Sequence, residues 1–245
     1  VVYNDYNFTF NALQNDFELK LASGIRDLSI KQDFDLYPYT GHKLKFGGIY
    51  TYHKFTPSVI SGKQDSTVFK PNNAQIKFGH EAALYIQDDW EINEKIKINA
   101  GLRYSLFQQA GPYKIYETDD NGNRLDSTVF GRGKAVKTYG GLEPRLTIRY
   151  ALDDETSVKA SVTRNLQYIH LVSNAGTTLP TDIWVPSTYK VKPQISWLYA
   201  AGLFKNFKDN MYETSVELYY KQMQNQIEYK EGYTPTGLDD TENSF

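Results

Sequence analysis

Lys95-Ile96-Lys97-Ile98-Asn99-Ala100-Gly101-Leu102-Arg103-Tyr104-Ser105-Leu106-Phe107 is the stretch on which the fold turns. Ile96, Ile98, Ala100, Leu102, Tyr104 and Leu106 alternate with Lys97, Asn99, Gly101, Arg103 and Ser105. A period of two places these sets on opposite faces of a β-strand. Strands of water-soluble domains usually run about five or six residues, whereas a tilted strand crossing a bilayer needs roughly 9–11. One apolar and one polar face, both unbroken over that length, predict lipid on one side and a wet interior on the other.

The pattern recurs along the chain. Leu142, Pro144, Leu146, Ile148 and Tyr150 alternate with Glu143, Arg145, Thr147 and Arg149. Val158, Ala160, Val162 and Leu166 alternate with Lys159, Ser161, Thr163 and Asn165, and only Arg164 intrudes on the apolar row. Tyr212, Thr214, Val216, Leu218 and Tyr220 oppose Glu213, Ser215, Glu217 and Lys221; Leu44, Phe46, Gly48, Tyr50 and Tyr52 oppose Lys43, Lys45, Thr51 and His53. Ile96, Ile98, Leu102, Leu142, Leu146, Ile148, Val158, Val162, Val216 and Leu218 are therefore expected to face lipid. Lys97, Arg103, Glu143, Arg145, Arg149, Lys159, Glu213 and Glu217 are expected to face the lumen. There they would pair across neighbouring strands, each pair contributing roughly 0.2–1 kcal/mol.

The 245 residues suffice for one large β domain. Mean hydropathy is negative and no apolar run approaches about 18 residues, which excludes a transmembrane helix but not a barrel. The chain is 15% aromatic with 20 tyrosines, which suits interfacial girdles. Cysteine is absent, which excludes disulfides and thiolate chemistry. A net charge of -2 and the lack of a basic run argue against nucleic acid as a partner. No signal peptide is read at Val1, and Tyr3, Tyr6, Phe8 and Phe10 already read as strand, so the chain is expected to begin within a longer protein.

About nine strands are predicted, near 1–10, 25–37, 43–55, 79–91, 95–107, 138–150, 156–166, 194–206 and 211–230. Their connections alternate in length. Thr40-Gly41-His42, Asn93-Glu94, Asp153-Asp154-Glu155 and Lys208-Asp209-Asn210 are short polar turns, whereas 11–24, 56–78, 108–137 and 167–193 are long. Outer-membrane barrels alternate in this way, with short periplasmic turns and long external loops. Trp90, Tyr150 and Phe207 would form the girdle on the short-turn side. Asn121-Gly122 predicts a small external hairpin, and 173–193, with Gly176, Pro180 and Pro186, reads as irregular loop.

Chemistry of other kinds finds little footing. Asp88-Asp89 points to both faces of a strand and cannot converge as a catalytic dyad. Asp119-Asp120-Asn121-Gly122-Asn123 lacks the later bidentate Glu of a calcium loop. Histidines 42, 53, 80 and 170 have no zinc or haem spacing. There is no nucleophile elbow or phosphate loop, and no cofactor is expected.

Ala83-Leu84-Tyr85-Ile86-Gln87-Asp88-Asp89-Trp90 followed by Ile98-Asn99-Ala100-Gly101-Leu102-Arg103-Tyr104 closely resembles the barrel of TonB-dependent outer-membrane receptors. Glu143-Pro144-Arg145, Gln167-Tyr168-Ile169-His170-Leu171, Pro180-Thr181-Asp182-Ile183-Trp184-Val185-Pro186-Ser187 and Asn225-Gln226-Ile227-Glu228-Tyr229 resemble the SusC/CirA-like branch common in Bacteroidota. The resemblance covers roughly 25–245. It implies an all-β, antiparallel up-and-down transmembrane β-barrel of about 22 strands with a plugged lumen, importing a siderophore, vitamin, glycan or peptide. At about 27 residues per strand such a barrel needs on the order of 600 residues. Residues 1–245 therefore read as part of a receptor barrel, less than half of one, with no plug domain and no energy-coupling box among them. The implied partners are outer-membrane lipid, the receptor's own plug, the TonB complex and a surface lipoprotein. Because such receptors bind cargo with their outer loops and upper wall, Tyr168, His170, Asp182 and Trp184 become candidates for contact with cargo or a lid. Two other classes compete. A soluble all-β binding protein, sandwich or propeller, would bury its apolar rows between sheets. An outer-membrane barrel enzyme would need a catalytic triad and an even, closed strand count.

Overall fold

The computed structural model describes residues 1–14, 17–64, 67–69, 75–118, 124–172 and 183–228. All regular structure among them is β: β1 (Val2–Gln14), β2 (Phe17–Leu36), β3 (His42–Gln64), β4 (Thr67–Phe69), β5 (Lys77–Glu91), β6 (Ile96–Ala110), β7 (Tyr113–Thr118), β8 (Arg124–Phe130), β9 (Ala135–Ala151), β10 (Thr156–Gln167), β11 (Ile169–Val172), β12 (Ile183–Pro186), β13 (Gln194–Phe207) and β14 (Tyr212–Gln224). One antiparallel sheet runs in the order β1-β2-β3-β5-β6-β9-β10-β13-β14, with β4 added to the far end of β3. Separate two-stranded pairs are β7–β8 and β11–β12. Sequential neighbours are joined up and down, as expected.

The registers keep the two faces intact across the sheet. Leu102 lies opposite Pro144 and Ile86, and Arg103 lies opposite Glu143 and Tyr85. Val158 continues the apolar row to Leu203, which lies opposite Val216. Burial then runs against the rule for water-soluble domains. Leu84 is 71% exposed and Leu218 74%, while on the other face Ser105 is 1% exposed and Glu143 5%. By register Ile96, Ile98, Leu102, Leu142, Leu146, Ile148, Val158, Val162, Val216 and Leu218 share the face of Leu84, and Lys97, Arg103, Glu143, Arg145, Arg149, Lys159, Glu213 and Glu217 share the face of Ser105. Two packed sheets would have covered the apolar rows, so the sandwich reading does not describe this chain.

Local chemistry explains the tight ends. Gly41 adopts a φ of +86° and its carbonyl accepts from the N–H of Glu91. Asn93 Oδ1 accepts from the backbones of Lys95 and Ile96 at 2.9 Å each, and Asp153 Oδ1 from Glu155 at 2.9 Å, the side-chain mimicry of a turn that favours Asx residues. Backbone hydrogen bonding to Glu155 also holds the Asp153 carboxyl below its ordinary range. Lys208, Asp209 and Asn210 all take positive φ, closing β13 onto β14. At this end Trp90, Tyr150 and Phe207 lie on the apolar face, with Trp90 stacked on His42 at 5.1 Å.

Several boundaries differ from those predicted. β2 already begins at Phe17 and β3 runs on to Gln64, so the stretches 11–24 and 56–78 hold paired strand where loops were expected. Outside the bilayer both faces meet water, and the backbone ladder alone can hold a hairpin without an apolar row to announce it. β14 ends at Gln224 rather than near 230. Asn225 turns out of it with a φ of 56° and its Nδ2 donates to the carbonyl of Pro193 at 2.9 Å. The external hairpin exists as β7–β8, but its Asn121-Gly122 tip and the acidic cluster 119–123 lie outside the described residues.

Candidate functional site: a charged wall under an inward fold

The polar face carries a row of interlocked charges. Asp27 Oδ1 is 2.7 Å from His53 Nδ1, and His53 Nε2 is 3.5 Å from Glu81. Glu81 is 3.8 Å from Arg103, whose Nε is 3.5 Å from Glu143. The row therefore crosses β2, β3, β5, β6 and β9. Expected pairing of lumen charges is seen for Arg103 with Glu143, and Lys97 pairs with Glu91. Lys159 Nζ instead sits 4.1 Å over the ring of Phe204. Arg145, Arg149, Glu213 and Glu217 have no ion pair among the described residues.

Above this row the chain turns inward. The β9–β10 ladder stops at Arg145–Thr163, next to Pro144, which has no N–H to give. Side chains take over the separated backbone: Glu143 Oε2 accepts from the N–H of Leu166 at 3.2 Å, and the Arg164 guanidinium donates to the carbonyl of Leu142. Arg164 also lies 5.9 Å from the Trp197 ring centroid. Its intrusion on the apolar row is thus a structural clasp, invisible to a periodicity argument.

Beyond Gln167 the chain packs onto the polar face of β6. The Tyr168 hydroxyl donates to the Ser105 carbonyl at 3.2 Å and lies 2.9 Å from Ser105 Oγ. Its ring stacks on Phe107 at 5.4 Å. Phe107 needs the space over Gly79, where a Cβ would come within 2.8 Å of its ring. Further on, Tyr139 donates to the Thr188 carbonyl at 2.7 Å, and the N–H of Tyr189 donates to Gln109 at 3.2 Å. Val172, Val185 and Val191 form a small core with Ile227 against it. β12 lies against β2 and β3 although the segment departs from β10, five strands from β2 and four from β3. At about 4.8 Å per strand, the segment therefore crosses the polar face of the sheet to reach that contact. Residues expected as irregular loop thus contain a paired strand, with His170 opposite Val185 and Leu171 opposite Trp184.

The four candidate contact residues divide. Tyr168 and His170 are buried, and Trp184 is half-buried beside exposed Leu171. Asp182 lies outside the described residues. His170 Nε2 is 3.2 Å from Ser187 Oγ, its Nδ1 has no partner among the described residues, and burial pulls its pKa down to about 4. Burial pushes the Tyr168 phenol up. Among the described residues no cluster of His, Asp or Glu could hold a metal ion. The Glu81 and Asp27 partners of His53 were missed at sequence level, since the signal is a cross-strand register and not a spacing.

The family model for TonB dependent receptor-like β-barrels matches residues 1–244. No curated protein sequence matches the chain. Among solved structures, the ferric yersiniabactin uptake receptor FyuA from Yersinia pestis is similar with a TM-score of 0.57 at 12% identity, over 91% of this chain and 32% of that one. The FrpB iron transporter from Neisseria meningitidis gives 0.53 at 12%, over 90% and 36%. The copper transporter OprC gives 0.60 at 14%, over 94% and 36%. The chain spans about a third of the length of these proteins, and the likeness establishes the fold.

Proposed function

The chain belongs to the TonB-dependent receptor-like β-barrel family, and from that premise we propose that it forms part of the wall and external loops of an outer-membrane receptor for energised nutrient uptake. One observation carries this reading: apolar rows such as Leu84, Leu102 and Leu146 are exposed on one face while polar and charged groups are enclosed on the other. That inversion has a favourable solvent only in a bilayer. The family is one of transport receptors and not of enzymes. Uptake would use the TonB complex and a plug within the lumen, and the cargo class would be a scarce nutrient such as a metal chelate, vitamin, glycan or peptide.

The fold at 168–172 and 183–191 narrows the outer lumen beside the charged row. In this reading Trp184 and Leu171 meet cargo, and Tyr168 and His170 hold the fold that presents them. A surface lipoprotein covering the external loops is a further partner we propose, on the resemblance of 180–187 to the SusC/CirA-like branch. Accumulation of ferric siderophores, haem, cobalamin and oligosaccharides in cells with and without the full-length receptor tests the function. One class should be lost with the receptor and also lost when a protonophore collapses the inner-membrane gradient. Accumulation that survives the protonophore would mean a passive pore.

A further inference from the structure

The apolar face is not uniform along its length. On β3 and β5 it carries Gly48 and Ala82 where the next positions of the same row carry Tyr50 and Leu84. The missing side chains leave a groove of about 530 Å³, floored by Gly48 and Ala82 and walled by Ile30, Tyr50, Leu84 and Tyr104. Gln32 also borders it, but its amide turns back and donates to the carbonyl of Asp33 at 3.3 Å. Just beyond the groove, on the side away from the short turns, the Tyr50 hydroxyl lies 2.7 Å from His80 Nδ1, and the Tyr52 ring packs on His80 at 5.3 Å. Lys54 follows on the same face of β3, opposite Phe78, and has no ion-pair partner among the described residues. Arg26, opposite Lys54 on β2, is answered by Asp5 at 2.9 Å.

Strand geometry sets the depth of these groups. His80 stands ten residues along β5 from Trp90 at the short-turn rim, or about 33 Å at about 3.3 Å per residue. A tilt of about 40° turns that into about 25 Å of height, the thickness of the apolar band of an outer-membrane barrel. His80 and Lys54 therefore stand level with the headgroups of the outer leaflet, and the groove lies among its acyl chains. We propose that the groove holds one acyl chain of a phosphorylated glycolipid of the outer leaflet, with Lys54 and His80 binding its phosphate. The proposal rests on the receptor reading above, which sets this face in the membrane with the long connections outside. In a Gram-negative outer membrane the external leaflet is built of phosphorylated glycolipid, and glycerophospholipids lie in the other leaflet. Lys54 supplies a charge-assisted hydrogen bond. When the Tyr50 hydroxyl donates to His80 Nδ1, the ring proton lies on Nε2, which then donates to a phosphate oxygen.

The test uses the full-length receptor, delipidated in detergent, with barrel closure checked by the gel shift between heated and unheated samples. Binding of bisphosphorylated lipid A is read by native mass spectrometry across a lipid titration. Wild type should bind one molecule saturably, and Ala82→Phe, which fills the groove while keeping the face apolar, should weaken that binding about tenfold. Lys54→Glu should weaken it by a similar factor, the scale of one lost hydrogen bond to a charged group, whereas Lys54→Arg should stay close to wild type. Leu146→Phe, on the same face but away from the groove, should change nothing. Lipid A stripped of its phosphates should bind the wild type about as weakly as intact lipid A binds the Lys54→Glu receptor. If a variant fails to close as a barrel, the comparison of intact with stripped lipid in the wild type decides, and equal binding of the two overturns the proposal. Binding that ignores both Ala82→Phe and Lys54→Glu overturns it as well, as does phosphatidylglycerol bound as tightly as lipid A. A receptor that closes as a barrel yet binds no lipid A overturns the groove alone. A wild-type receptor that shows no barrel gel shift would instead refute the receptor reading itself.

Discussion

In the spanning sheet Leu84 and Leu218 stand bare while Ser105 and Glu143 are enclosed. Within the inward fold Val172, Val185 and Val191 are enclosed while Leu171, Lys190 and Lys192 lie at the surface. The same chain therefore follows two opposite burial rules a few residues apart, and the switch occurs where β10 leaves β9. The difference teaches that burial follows the local solvent and not the residue type. Lipid rewards apolar side chains for facing out, and water rewards them for clustering in. The joint between the two regimes needs unusual hydrogen bonding, which Glu143 and Arg164 supply to the backbones of Leu166 and Leu142.

The largest expected effect tests the sheet's rule. Leu102→Arg in the full-length receptor should cost about 2–4 kcal/mol of folding stability in lipid vesicles if the side chain lies near the bilayer midplane. Thr147→Arg, on the polar face three residues along β9 from the Pro144 that faces Leu102, should be mild. Equal costs for the two, measured by denaturant titration in vesicles, would break the contrast between faces.

The second test addresses the inward fold through His170. Its buried ring resists protonation, so between pH 6.5 and about 4 the folded state binds fewer protons than the opened one. Stability of this segment is fully present above pH 6.5 and is lost progressively as pH falls through that window. The opening free energy of residues 183–191, from hydrogen exchange corrected for the intrinsic slowing of amide exchange in acid, should fall on acidification, and His170→Gln should remove most of that fall. An opening free energy in the wild type that does not change with pH would show that His170 is hydrated.

The smallest effect sharpens the joint itself. Tyr168→Phe keeps the stacking on Phe107 but removes the hydroxyl shared with Ser105. A loss of about 0.5–1.5 kcal/mol is expected, confined to opening of the inward fold. Global unfolding of the barrel should not change. A shift of the whole transition would mean that the fold and the wall unfold as one unit.

Legibility in the sequence followed the same divide. Residues 95–107 announced their strand because lipid and lumen impose different chemistry on alternate positions, and Leu142–Tyr150 repeated it with only Pro144 out of type. The extensions of β2 and β3 were not legible, since a hairpin in water can hold either kind of side chain on either face. β12 was hidden for another reason. Its four residues pair with β11 across a long separation, and Pro186 and Ser187 read locally as loop. Asp27, His53 and Glu81 carried no motif because their partnership depends on which strands become neighbours.

The amino-acid order by itself determined the nine strands of the sheet's main path, their up-and-down order, the two faces and the positions of the short turns. Those features arise from contacts within a strand or with the next one, and period and turn chemistry record them directly. Only the tertiary structure decided that 168–172 and 183–191 fold inward, that the charges of β2 to β9 link into one row, and that Arg145 and Arg149 have no acid partner among the described residues. Each of these depends on curvature and on register summed over several strands. No local segment encodes that sum, because the pairing of residues far apart in sequence exists only once the sheet has formed.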